Sequence, residues 1–181
     1  MDSRAVTKLL AKATVCLVIA LIGWERTPLS RIYHAGVATF ARALYGSGDQ
    51  AGFIDGIRAS DDEFMVRVLV GDKRETLYIA AGDMTGNLCV LLALYLASPI
   101  RPLARIYLSS FSAAVVALFG VHVIALYVLS RTAVAGRTAV ENVGLASLVS
   151  DMGAWMYPLA VLLWAPYLLT YYRTTKRSQK D

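Results

Sequence analysis

The chain has 181 residues, of which 57% are hydrophobic and only 17% charged, well below the roughly 25% charged share of soluble globular domains. That length holds one compact unit and no second large domain. The net charge of +5 would suggest a nucleic-acid partner in a soluble protein. Here no nucleic-acid motif accompanies it, and the basic residues gather beside apolar runs, as the cytoplasmic flanks of membrane spans require.

Met1 to Lys12 carries Arg4, Lys8 and Lys12, and an apolar run follows from Ala13 to Trp24. The pattern resembles a signal-peptide core, but no small-x-small cleavage site follows it. An uncleaved signal anchor over 1–24 is expected, with Lys8 and Lys12 snorkelling to the cytoplasmic surface. Thr27-Pro28 then predicts a helix start, Thr as N-cap and Pro at the first position. Leu29, Ile32, Tyr33, Val37, Phe40 and Leu44 recur at helical spacing. Residues 25–45 therefore read as an amphipathic helix that lies in the outer interface or extends the first span. Arg31, His34 and Arg42 fall mostly off that stripe, and His34 reads as a polar-face residue.

Gly46-Ser47-Gly48-Asp49 breaks the helix, and the period changes. Phe53–Ala59, Glu63–Val70 and Glu75–Ala80 read as strands, with turns at Asp61-Asp62 and Gly71-Asp72. Phe64, Val66, Val68 and Val70 share one face, and Met65, Arg67 and Leu69 the other. Residues 25–85 hold seven Lys/Arg and nine Asp/Glu, a balance that suits a small extramembrane lobe over 46–83.

Three further spans are predicted, Met84–Ile100, Ile106–Ser130 and Leu145–Tyr172. A basic turn at Arg101–Arg105 and a polar loop at Arg131–Gly144 join them. The fourth span contains Asp151 and is interrupted by Pro158 and Pro166, of which Pro158 is expected to kink it. The expected fold is thus a membrane protein: a four-transmembrane-helix bundle with an amphipathic helix and a small extracytoplasmic β lobe. Residues 84–172 form its three-helix membrane core. The N-terminus, the 101–105 turn and the tail 173–181 are all basic, so both termini are placed in the cytoplasm and the lobe outside. In a diderm bacterium the membrane is the inner one and the lobe is periplasmic.

Polar groups inside spans are functional candidates by default. Cys89 lies about one and a half turns into its span from the outer end. His122 lies roughly 24 Å from the inner start of its span at 1.5 Å per residue, and Asp151 nearly two turns into the last from outside. The three share the outer leaflet and supply the groups of a nucleophile, a base and its orienter. A lone Cys in an apolar helix is equally a small buried hydrophobe, and a lone His equally an interhelical hydrogen-bonding residue. Cys16 and Cys89 form no disulfide framework, and no metal-ligand spacing occurs. No cofactor is expected: phosphate-loop and dinucleotide motifs are absent. Haem ligation would need His34 and His122 in one pocket, against their separation in sequence and predicted environment.

Gly86-Asn87-Leu88-Cys89, Gly120-Val121-His122-Val123-Ile124 and Ser150-Asp151-Met152-Gly153-Ala154-Trp155 together resemble the exosortase/archaeosortase family over roughly residues 84–172. The resemblance implies a multi-pass membrane cysteine peptidase or transpeptidase acting on C-terminal sorting tails. This chain departs from it at two positions. Val123 stands where the family's Arg falls, beside His122, and Ser150 where its His falls. Loss of the Arg removes oxyanion stabilisation, and loss of the His removes the base. The chain is thus more similar to the degenerate, exosortase-associated membrane proteins. Three functions follow as expectations: a non-catalytic accessory protein binding a protein partner in the membrane or periplasm, a divergent cysteine peptidase using Cys89, His122 and Asp151, or a small subunit of an unrelated membrane complex.

Overall fold

In a computed structural model of the chain, the residues described are 3–45, 54–60, 62–70, 73–100, 103–138 and 143–177. They form helix α1 (Ser3–Arg26), α2 (Leu29–Tyr45), strands β1 (Ile54–Ala59), β2 (Glu63–Val70) and β3 (Lys73–Ala80), then α3 (Ala81–Thr85), α4 (Asn87–Ala97), α5 (Ala104–Thr138) and α6 (Val143–Arg177). Two helical segments are long and apolar enough to cross a membrane, Val6–Arg26 and Ala104–Arg131, and Asn87–Ala97 is a shorter apolar helix. The chain divides into two compact units. One is Met1–Arg26, Asn87–Leu118 and Met156–Asp181, and the other is Thr27–Gly86 and Phe119–Trp155.

In the first unit α1 packs against α4. The remaining surface of α1 leaves Leu10, Val15, Val18, Ile19 and Ile22 exposed. The helix of 11 residues, α4, is apolar on every side, and Leu88, Cys89, Leu91, Ala93, Tyr95 and Ala97 are buried. Its C-terminal end needs partners for carbonyls that no further turn can satisfy. Neighbouring side chains supply them. Ser98 donates to the Leu94 carbonyl at 2.7 Å, Tyr107 to that of Tyr95 at 2.8 Å, and Tyr167 to that of Pro99. Trp164 Nε1 donates to the Ser98 hydroxyl at 2.8 Å. At the other end of α4 the buried Asn87 amide donates to the Met156 carbonyl at 2.9 Å.

The second unit is built on the sheet, which is antiparallel in the order β1-β2-β3. Phe64 faces Ile79 and Val66 faces Leu77 across the β2–β3 ladder, while Ile57 faces Val66 across β1–β2. These side chains are buried. The alternation expected for β2 is therefore present, with Arg67 exposed between Val66 and Val68. Helix α2 packs on β1, and the His34 ring meets that of Phe64 edge-on at 5.4 Å.

Four expectations need correction. The side of α2 that is buried carries His34, Val37, Ala38, Ala41 and Tyr45, whereas Leu29, Ile32, Phe40 and Leu44 of the apolar stripe are exposed. His34, only 2% exposed, is thus not a polar-face residue. Small side chains let the helix approach closely, so the protein-facing side is the one with His and Ala. Second, the strip Arg131–Gly144 is not one loop, because α5 runs to Thr138 and α6 begins at Val143. Within 131–138 only Gly136 carries a large helix penalty, while Thr132, Val134 and Thr138 carry smaller ones. Third, β3 begins at Lys73, two residues before the expected start, while Phe53, Asp61 and Gly71-Asp72 lie outside the described residues. Fourth, the helical segment from Ala81 is interrupted at Gly86, so the stretch Met84–Ile100 is the end of α3 followed by α4. Helix α6 continues through both Pro158 and Pro166.

Candidate functional site

In the second unit, polar side chains of α2 reach across to α3 and α5. Tyr33 and His34 are neighbours on α2, and each reaches a different element. The Tyr33 hydroxyl lies 2.7 Å from Nδ1 of His122 on α5. The Tyr33 ring stands edge-on to Phe119, one turn earlier, with centroids 5.5 Å apart. Nε2 of His34 lies 2.8 Å from the Thr85 hydroxyl on α3, and that hydroxyl donates its proton to the Ala81 carbonyl at 2.8 Å. A hydroxyl has one proton to give. Thr85 therefore accepts from His34, which fixes the imidazole proton on Nε2. At the end of α2 the Tyr45 hydroxyl donates to the Tyr127 carbonyl at 2.6 Å, with the two rings 4.6 Å apart. Burial holds the Tyr33 phenol well above the ordinary tyrosine range, so it remains a hydrogen-bond donor. Burial also pushes the Tyr45 phenol up to about 12, with Ser130 and the Arg131 charge opposing the shift.

The two histidines, expected in separate environments, thus flank one ring. The Tyr33 centroid is 6.5 Å from that of His34 and 5.8 Å from that of His122. This corrects the argument that sequence separation keeps them apart. It does not build a metal centre: among the described residues no three His, Cys, Asp or Glu side chains are grouped to hold an ion.

Cys89 belongs to the other unit. Its thiol is fully buried, and its sulfur lies 4.0 Å from the Ala20 carbonyl of α1. A carbonyl accepts but cannot take up a proton as a base. Cys16 and Cys89 are both free. Asp151 lies within α6, and its side chain is outside the described residues. Of the three site residues predicted from sequence, His122 is thus engaged by Tyr33, Cys89 by α1, and the carboxyl is not described.

Sequence reasoning missed Tyr33, Thr85 and Asn87. Tyr33 was counted with the apolar stripe of α2. Thr85 and Asn87 flank Gly86, and buried polar residues beside a helix interruption are the signal that points to them.

Comparison with protein-family models, with curated proteins and with solved structures finds no match to this chain.

Proposed function

We propose that the chain is a four-span, non-catalytic, partner-binding protein of the cell envelope, related in kind to the accessory proteins of exosortase systems. The observation that carries this reading is the fully buried Cys89 thiol, held against an α1 carbonyl. A nucleophile needs a path to substrate, and this sulfur is fully buried. His122 is likewise engaged, its Nδ1 hydrogen-bonded to the Tyr33 phenol.

The placement in a bilayer rests on three supports. Val6–Arg26 and Ala104–Arg131 have the length and hydropathy of spans. On α1 alone Leu10, Val15, Val18, Ile19 and Ile22 are exposed over more than half of their surface, and each would forgo about 1–1.5 kcal/mol if left in water. Finally, with spans two and four as α3–α4 and α6, the basic N-terminus, the 101–105 turn and the tail come on one side, which the positive-inside rule makes cytoplasmic.

The test is alkylation of Cys89 across pH in native membranes, with the half-buried Cys16 as internal reference. A catalytic thiol reacts as a thiolate well below about 8.5. The accessory reading expects Cys89 to label more slowly than Cys16 at every pH. Fast labelling of Cys89 at neutral pH, slowed by His122→Ala, would replace that reading with the cysteine peptidase.

A further inference from the structure

The face of the sheet turned away from α2 carries a line of arginines. Cross-strand partners share a face, so the register places them. Arg58 of β1 faces Met65 of β2, which faces Tyr78 of β3. Arg67 lies two residues further along β2 and faces Thr76. Arg74 of β3 faces Leu69, two residues further again. Each arginine is thus one strand and one same-face position from the last. With strands about 4.8 Å apart and same-face residues about 6.8 Å apart, the step between them is about 8 Å. All three are exposed, as is Tyr78 at 64%, with Met65 and Leu69 half-buried between them.

We infer that this face binds an acidic, extended peptide segment of the protein partner, with carboxylates on alternate residues. The inference rests on the partner-binding reading above. An extended chain repeats same-side groups at about 6.8 Å, close to the arginine step and within the reach of long side chains. Guanidinium groups take carboxylates in a bidentate fork that a lysine lacks. The ring of Tyr78 and the edges of Met65 and Leu69 offer apolar footing for the methylene stems of the acids, since the residues between them point away from the sheet. A linear ligand is favoured over an anionic lipid surface by Glu63. It is exposed, faces Ala80 and lies on this same face beyond Arg58. A plane of negative charge would meet it, whereas a strand laid along the diagonal passes it.

The experiment uses the full-length protein in micelles of neutral detergent and a fluorescein-labelled peptide of alternating Glu and Thr, followed by anisotropy. The control peptide alternates Gln and Thr. The acidic peptide is expected to bind, the control to bind at least tenfold more weakly, and the affinity to fall as salt rises. Arg67→Gln is expected to weaken binding about two- to fivefold, and the combined R58Q/R67Q/R74Q variant by more than tenfold. Lys73→Gln makes the same charge change in a residue that faces Val70, on the opposite face, and is expected to leave binding unchanged. Arg67→Lys keeps the charge and the fold and is expected to retain part of the affinity. Equal binding of the two peptides, equal binding by the triple variant, or an equal loss in Lys73→Gln would overturn the proposal. So would arginine-dependent binding of phosphatidylglycerol vesicles without binding of the peptide, which would assign the face to lipid. A reactive Cys89 would instead overturn the accessory reading, whatever the peptide does, so the two failures are distinguishable.

Discussion

Tyr33 on α2 and His122 on α5 are joined by a hydrogen bond of 2.7 Å between the phenol and Nδ1, across 89 residues of chain. His122 is fully buried, so this bond fixes the rotamer of a side chain that sequence alone marks as chemical. The same bond makes it a structural tie between two helices.

Tyr33→Phe removes this bond from a buried imidazole and is expected to cost about 1–3 kcal/mol. Replacing both partners with apolar groups, as in Tyr33→Phe with His122→Leu, is expected to cost less than the sum of the single changes. Thermal or denaturant unfolding in detergent reads the cycle. Strictly additive losses would show that the pair is not coupled.

Gly36 faces Phe119, whose Cε2 would lie 3.4 Å from an added Cβ. That is ordinary contact for a methyl group, and alanine is the better helix former by up to about 1 kcal/mol. Gly36→Ala is therefore expected to be neutral or slightly stabilising. Gly36→Leu must push Phe119 aside, with Tyr33 and Phe40 stacked edge-on against it, and is expected to cost about 1–3 kcal/mol. Melting temperatures of opposite sign relative to the parent would bear this out.

Asn87 donates its amide to the Met156 carbonyl from a buried site. Asn87→Leu is expected to cost about 1–3 kcal/mol through the lost bond. Asn87→Asp sets an acceptor against an acceptor and adds charge to an apolar helix, which costs about 3 kcal/mol or more. The aspartate variant is thus expected to melt below the leucine one. The reverse order would mean that the amide nitrogen is not the contacting group.

Tyr45 supplies a prediction in pH. Its phenol titrates at about 12 because burial opposes the phenolate, against about 10 in an unfolded chain. The folded state therefore holds the proton more tightly. The stability this contributes is complete below pH 10 and is lost as pH rises through the window from 10 to 12. Spectrophotometric titration should show a phenolate step near 12 that is absent in Tyr45→Phe.

Much of the sheet was legible in the sequence because one side of each strand is buried and the other is not. Phe64, Val66 and Val68 alternate with Met65, Arg67 and Leu69, and burial follows that two-residue period. The same logic misplaced His34 on α2. Its apolar stripe, Leu29, Ile32, Phe40 and Leu44, is exposed, while His34 is buried. In a soluble helix the apolar side faces the core. On α2 the buried side instead carries His34, Val37, Ala38, Ala41 and Tyr45. The extension of α5 to Thr138 was missed because polar composition suggested a loop where no residue forbids a helix. The site was least legible. Cys89 and His122 were visible as residue types, but their partners Ala20, 69 residues away, and Tyr33 are set by helix packing that no local period encodes.

The collar of hydroxyl and indole groups around the end of α4 constrains how the protein assembles. Eleven residues rise about 16 Å, roughly half of a bilayer's 30 Å hydrocarbon core. The carbonyls at that end are satisfied by Tyr107 of α5 and Tyr167 of α6, and Trp164 of α6 holds the Ser98 hydroxyl in place. A chain emerging from N- to C-terminus makes α4 well before α6. The Leu94 and Tyr95 carbonyls already find Ser98 within the local chain, so what the late-emerging α6 adds is the bond to the Pro99 carbonyl and the indole clamp on the Ser98 hydroxyl.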